Sequence, residues 1–215
     1  AVQGTLKLDS KFNTYISGAK KAGLKVGVYF YSQAITRAEA AEEANLVLKY
    51  IKSYELDLPV AFDYEYYGTS GRLYNAKLTK SQKTACAKAF CETIENAGYP
   101  AMVYANSNWC YSEWDTKELR KNYEVWMARY ESYSYNTIKD KGKALYDGQI
   151  DFWQCTSRAS VDGISGNVDL NYWYQEKDTE EWVVYDEDSQ KWIYTCNGVP
   201  DDTYTGFAQN ENGWW

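Results

Sequence analysis

The sequence predicts an α/β protein built on a parallel sheet, arranged as a (β/α) barrel. Two observations carry this. Strand-like runs alternate with helical periodicities through residues 10–172. The polar residues suited to chemistry come late in their strands: Tyr29, Tyr31, Asp63, Glu65, Tyr104, Asn106, Gln154 and Asp169. Barrel enzymes place their chemistry at the C-terminal ends of strands. A doubly wound open sheet would do the same, but no strand is followed by a Gly-rich phosphate loop. A change of pattern near residue 174 marks off a second, smaller module.

Taken in order, Phe12, Tyr15, Ile16 and Ala19 fall at helical spacing, with Asp9 or Ser10 as the cap and Gly23 as the stop. Residues 25–31 (KVGVYFY) read as a strand. Thr36 and Glu39 form a capping box opening a helix whose apolar face is Ala40, Ala44, Val47, Leu48 and Ile51. Residues 58–66 (LPVAFDYEY) are the next strand. Thr79 and Gln82 are a second box, opening a helix with Ala85, Cys86, Ala89, Phe90 and Ile94 inward and Gly98 at its end. Strands follow at 100–105, 123–130, 150–155 and 168–172, with a helical turn near Leu119. Beyond 174, residues 181–185 and 191–194 look like strands of a small meander. Asn197-Gly198 and Asn212-Gly213 are hairpin turn signals. Trp192 and Trp214 stand 22 residues apart, each near an Asn-Gly, as in a repeat of aromatic hairpins.

Composition narrows the partners. The net charge is −7, but residues from 175 onward carry −8, so the body before them is near neutral at +1. An acidic tail on a neutral body fits two modules, 1–174 and 175–215, and offers no basic stripe to nucleic acid. Aromatic content is 17%, with 22 Tyr and 9 Trp, residues that stack on sugar faces. The chain has no His, which excludes His triads and His metal sites. Cys86, Cys91, Cys110, Cys155 and Cys196 lack metal-ligand spacing and make no readable disulfide framework. No apolar run is long enough to span a membrane.

The stretch 58–66 carries the chemistry. Asp63 and Glu65 stand two apart, so in a strand they share a face, with Tyr64 on the other. Adjacent acids push one pKa up, which keeps one carboxyl protonated near neutral pH. That is the equipment of a glycosidase. The same two residues in water, or paired with Lys or Arg, would be an ordinary strand end.

Six segments, in order, resemble the family 25 glycoside hydrolases, the N-acetylmuramidase type of lysozyme. They are residues 22–32 (AGLKVGVYFYS), 58–65 (LPVAFDYE), 101–106 (AMVYAN), 125–130 (VWMARY), 152–154 (FWQ) and 161–171 (VDGISGNVDLN). The resemblance implies a TIM-like (β/α) barrel acting on peptidoglycan at the β-1,4 bond between N-acetylmuramic acid and N-acetylglucosamine. It implies a secreted or wall-associated protein of bacterial or phage origin, with no metal or cofactor. It also implies two earlier strands, the first bearing an active-site Asp. Nothing before Gly23 matches either, so an incomplete barrel is expected. Residues 206–215 (GFAQNENGWW) resemble the aromatic repeats that anchor enzymes to cell-wall polymer.

Carried over by motif, Glu65 is the general acid and Asp63, ionised, is a nucleophile or the partner of the substrate's own N-acetyl group. Asp169 lines the same cleft, or caps the turn after it. Tyr29, Tyr31, Tyr104, Trp126 and Gln154 form sugar-binding walls, or fill the barrel, packing being the expected role of Trp126. Two other readings compete. One is a non-catalytic wall-carbohydrate binder derived from a truncated hydrolase. The other is a hydrolase of another N-acetylated polymer such as chitin.

Overall fold

The computed structural model describes residues 5–130 and 144–174, and the backbone of strand segments within 181–214. Two compact units divide at Trp173/Tyr174. In the first, the elements run α1 (Phe12–Lys21), β1 (Val28–Ser32), α2 (Arg37–Ile51), β2 (Val60–Tyr64), α3 (Arg72–Asn75), α4 (Lys80–Asn96) and β3 (Ala101–Asn106). A π-helical turn (Trp109–Glu113), α5 (Thr116–Leu119), β4 (Glu124–Ala128), β5 (Phe152–Ala159) and β6 (Val168–Trp173) complete it.

Local sequence explains most boundaries. The Asp9 carboxylate accepts from Lys11 N–H ahead of α1, and Gly23 takes a left-handed φ of 75° just after it. Thr36 caps α2 by accepting from Glu39 N–H. Glu39, however, does not close the expected box. Its carboxylate accepts from Ile35 N–H at 2.9 Å and grips Arg72 instead. The Thr79–Gln82 box on α4 is complete.

The six strands form one sheet in the order β1-β2-β3-β4-β5-β6. The first five are parallel. Strand order never reverses, so the sheet lacks the switch point of a doubly wound fold. Strand β6 departs from the expected parallel arrangement and runs antiparallel to β5. Residues 160–167 are too few for a parallel crossover, which takes a dozen or more.

The two faces of the sheet differ. On one, Phe62 and Tyr64 of β2 pack on Phe90 of α4 and on Trp109, with ring centroids about 5 Å apart. Phe62, Tyr64, Phe90, Trp109 and Trp114 are all fully buried there. On the other, Ala61, Met102 and Phe152 cluster, flanked by Leu58 and Trp126. Register sets Tyr31, Asp63, Tyr104, Trp126, Phe152 and Trp173 side by side in one row across this second face. Cys86, Cys91, Cys110 and Cys155 are buried free thiols.

In the second unit, β7 (Glu181–Asp186), β8 (Lys191–Cys196) and β9 (Val199–Pro200) form an antiparallel sheet. Strands β10 (Gln209–Asn210) and β11 (Gly213–Trp214) pair separately. Cys196 opposes Val199, and the turn signalled at Asn197-Gly198 lies outside the described residues. Asn210 opposes Gly213, and Asn212 of the signalled Asn212-Gly213 turn lies outside the described residues.

Candidate active site

The site grows out of the end of β2. Its apolar start, Val60-Ala61-Phe62, commits the strand to the interior of the sheet, between the edge strand β1 and β3. Alternation then turns Asp63 to the same face as Ala61. Asp63 is 7% exposed, and its Oδ1 has no hydrogen-bond partner among the described residues. Burial, then the neighbouring Glu65 charge, pushes the Asp63 carboxyl up to about 8.

Glu65 lies one residue past the strand. The ladder to β1 ends at Ser32–Tyr64, and the ladder to β3 ends at Asp63–Tyr104. Burial raises the Glu65 carboxyl, while a hydrogen bond from Asn106 opposes the rise. The Asn106 Oδ1 accepts from Trp109 N–H at 3.2 Å, which leaves its amide N–H groups to serve Glu65. The Glu65 carbonyl accepts from Gln33 Nε2 at 2.8 Å.

Both acids are pushed up, Glu65 as the sequence leads one to expect and Asp63, expected ionised, as well. Asp63 sits deeper than Glu65, and its burial favours the protonated form near neutral pH. No single residue type announces this. It follows from Asp63 facing an apolar row while Glu65 has left the sheet.

Tyrosines wall the pair. The phenols of Tyr31 and Tyr104 are raised by burial and then by the charges of Glu65 and Asp63. Tyr29 is raised by burial, then by Asp63, Asp9 and Asp169. Its side chain is open to solvent, at 64% exposure. Tyr104 OH donates to Gln154 Oε1 at 2.5 Å, and Tyr130 OH reaches the same oxygen at 3.3 Å. Trp126 packs against Tyr104 at 4.6 Å and donates its indole N–H to Asn171 Oδ1 at 2.8 Å. It both packs and fixes a polar group at the rim.

Asp169, exposed on β6, acts electrostatically on Tyr29, Tyr104 and Tyr130. Asp63 or Glu65 acts on the same three phenols. The eight candidate site residues thus gather around one face of one sheet, with Glu65 just past the end of its strand. Asn106, Tyr130 and Gln33 join them. Asn106 is signalled by its place at the end of a strand, Tyr130 by the matched segment 125–130, and Gln33 by nothing local. Among the described residues no group of three or more His, Cys, Asp or Glu could hold a metal ion. No helix there is long and apolar enough to cross a membrane.

The family model described as Glycosyl hydrolases family 25 matches residues 1–164. The autolytic lysozyme of Clostridium acetobutylicum is 29% identical over 171 residues, which are 80% of this chain and 46% of that protein. The chain therefore spans about half the length of that relative. Among solved structures, the modular autolysin LytC of Streptococcus pneumoniae, in complex with a synthetic peptidoglycan ligand, is 25% identical with a TM-score of 0.62. The match covers 78% of this chain and 38% of that one. The spore cortex lytic enzyme SleM of Clostridium perfringens has a TM-score of 0.62 at 16% identity, over 95% of this chain and 68% of its own, a likeness of fold.

Proposed function

The chain belongs to family 25 of the glycosyl hydrolases, and from that premise we propose that it hydrolyses peptidoglycan as an N-acetylmuramidase. The observation that carries the reading is the Asp63–Glu65 pair. Two carboxyls raised by burial share one tyrosine-walled face at the C-terminal end of a parallel strand flanked on both sides.

The pair behaves as one unit holding a single proton near neutral pH. In the free protein burial keeps that proton on Asp63. Glu65, the less buried carboxyl, is the one placed to meet a glycosidic oxygen. Passage of the proton to Glu65 readies the acid and leaves Asp63 ionised. Asp63 can then accept the N–H of the substrate's acetamido group. The acetamido oxygen attacks the anomeric carbon, the glycosidic C–O bond breaks, and Glu65 gives its proton to the leaving oxygen. Water, deprotonated by Glu65, opens the resulting ring. The Asn106 amide, already bonded to Glu65, stabilises its charged form after the proton has gone. Asp169, Tyr29, Tyr31, Tyr104 and Gln154 would border the sugar.

The finer fold reading that accompanies this is a (β/α) barrel wall, in which five parallel strands in sequence order carry the site at their C-terminal ends. The strands of 175–215 would bind cell-wall polymer, and the protein would act at the wall, secreted or wall-associated. The test is Glu65→Gln in the full protein, read as turbidity loss of purified bacterial walls. We expect a fall of about 10³-fold or more with folding intact. Activity within a few-fold of the parent protein overturns the assignment.

A further inference from the structure

Glu65 lies beyond both backbone ladders, so a feature other than the sheet must hold its main chain. Gln33 occupies the matching place on β1: Ser32 pairs with Tyr64, and Gln33 and Glu65 come next. Its side chain, 1% exposed, donates from Nε2 to the Glu65 carbonyl at 2.8 Å and to Ser32 O at 2.8 Å, while its Oε1 accepts from Leu73 N–H at 3.4 Å. The side-chain amide thus continues by one position a pairing that the backbone has abandoned.

The loop that presents Gln33 is bonded at each successive residue. Arg72 donates to Gln33 O at 3.0 Å while its two Nη groups hold the Glu39 carboxylate at 2.6 and 2.7 Å. Ala34 N–H donates to Ser32 Oγ at 3.1 Å, and Ser32 Oγ donates to the buried Glu43 at 2.5 Å. Tyr64 OH donates to Ala34 O at 2.6 Å, and Ile35 N–H to Glu39 at 2.9 Å. Such a frame is more than a loop of four residues needs merely to connect a strand to a helix.

Resting on the muramidase reading, we propose that Gln33 is a positioning residue for the acid, fixing the Glu65 main chain so that its carboxyl stays in register with Asp63 and Asn106. Gln33 need not touch the sugar. Displacement of a reacting group by about 1 Å costs on the order of 10²-fold in rate. Loss of the amide should therefore lower kcat and leave KM nearly unchanged.

Two variants test this in the full protein. Gln33→Met keeps length and apolar volume but removes both donors. Gln33→Asn keeps the amide but falls one methylene short of Glu65. Two measurements are made on each: kcat and KM on soluble glycan fragments, normalised to folded protein, and the Glu65 titration by ¹³C NMR of its carboxyl. The expected result is a 10- to 100-fold loss of kcat with KM within about twofold, together with a displaced Glu65 titration. The proposal is overturned if the variants that fold keep kcat within twofold and titrate Glu65 as the parent does. It is equally overturned if activity falls only in step with the folded fraction. Should the parent protein cleave no wall, the muramidase reading fails by itself, and the Glu65 titration still decides whether Gln33 positions that side chain.

Discussion

Asp63→Asn should stabilise the protein, and increasingly so as the pH rises. The Asp63 carboxyl goes from an ordinary value of 3.8 in the unfolded chain to about 8 in the fold. Between those values the folded state holds a proton that the unfolded state has released. The unfolded chain binds fewer protons there, so stability falls with pH. The slope from this one group is about 1.4 kcal/mol per pH unit. From pH 5 to 8 it accumulates to about 4 kcal/mol, the last part flattening as the folded group itself ionises. An asparagine has no proton to lose, so the variant escapes this penalty. Urea unfolding of parent and variant at half-unit steps from pH 5 to 9 gives the difference, in which titrating groups other than the coupled Glu65 largely cancel. The difference should widen in favour of the variant up to about pH 8 and then level. Wall-lysing activity should fall at every pH, because the variant cannot supply or share the proton. A difference that stays flat, or that narrows as the pH rises, would refute the burial argument and the proton assignment built on it.

Two perturbations address the frame around the site. Lys83→Met strips the partner from Glu113, which also accepts from Tyr66 OH at 2.7 Å. Lys83 is nearly sealed from water, its side chain 7% exposed against 23% for Glu113, so a carboxylate would be left half-desolvated. A loss of about 2–4 kcal/mol is expected in denaturant unfolding, with part recovered in the Lys83→Met/Glu113→Gln double variant. A loss below about 0.5 kcal/mol would show that the pair is solvated. Gly27→Ala tests the approach of β1 to the segment before β2. An added Cβ would sit 2.8 Å from Leu58 Cβ and 3.2 Å from Pro59 O, so a drop of about 1–3 kcal/mol is expected in thermal unfolding. An unchanged melting temperature would mean the two segments are not so close.

Legibility in the sequence followed the range of the interactions. The helices were readable because caps and apolar periodicity act within four residues. Thr79–Gln82 is complete as written, and Gly23 stops its helix. The strand carrying Asp63 was readable from its apolar start. The antiparallel turn of β6 was not, because it is decided by the length of a loop rather than by the strand. Glu39 looked like half of a capping box until Arg72, 33 residues away, took its carboxylate. The π-helical turn at Trp109–Glu113 depends on Asn106 below it and on Trp109 packing against Tyr64, Tyr66 and Trp114. Neither has a local periodicity. The site residues were visible as polar groups late in strands. Their division of labour was not, since it depends on which carboxyl the fold buries.

That division ties the site to the opposite face of its own strand. Holding Asp63 among apolar neighbours costs about 4 kcal/mol at pH 7 by the shift from 3.8 to about 8. On the other face of β2, Val60, Phe62 and Tyr64 are fully buried. Each contributes about 2 kcal/mol of apolar burial, so the three together exceed the cost of the acid. Tyr64 also holds the Ala34 carbonyl, and so supports the loop that presents Gln33. Period-2 alternation is what lets one five-residue strand bear both loads: the residues that stabilise it cannot reach the sugar, and the residue that strains it cannot leave the cleft. A shift of register by one residue would turn Asp63 into the aromatic layer and Tyr64 into the site, removing the chemistry and its support at once.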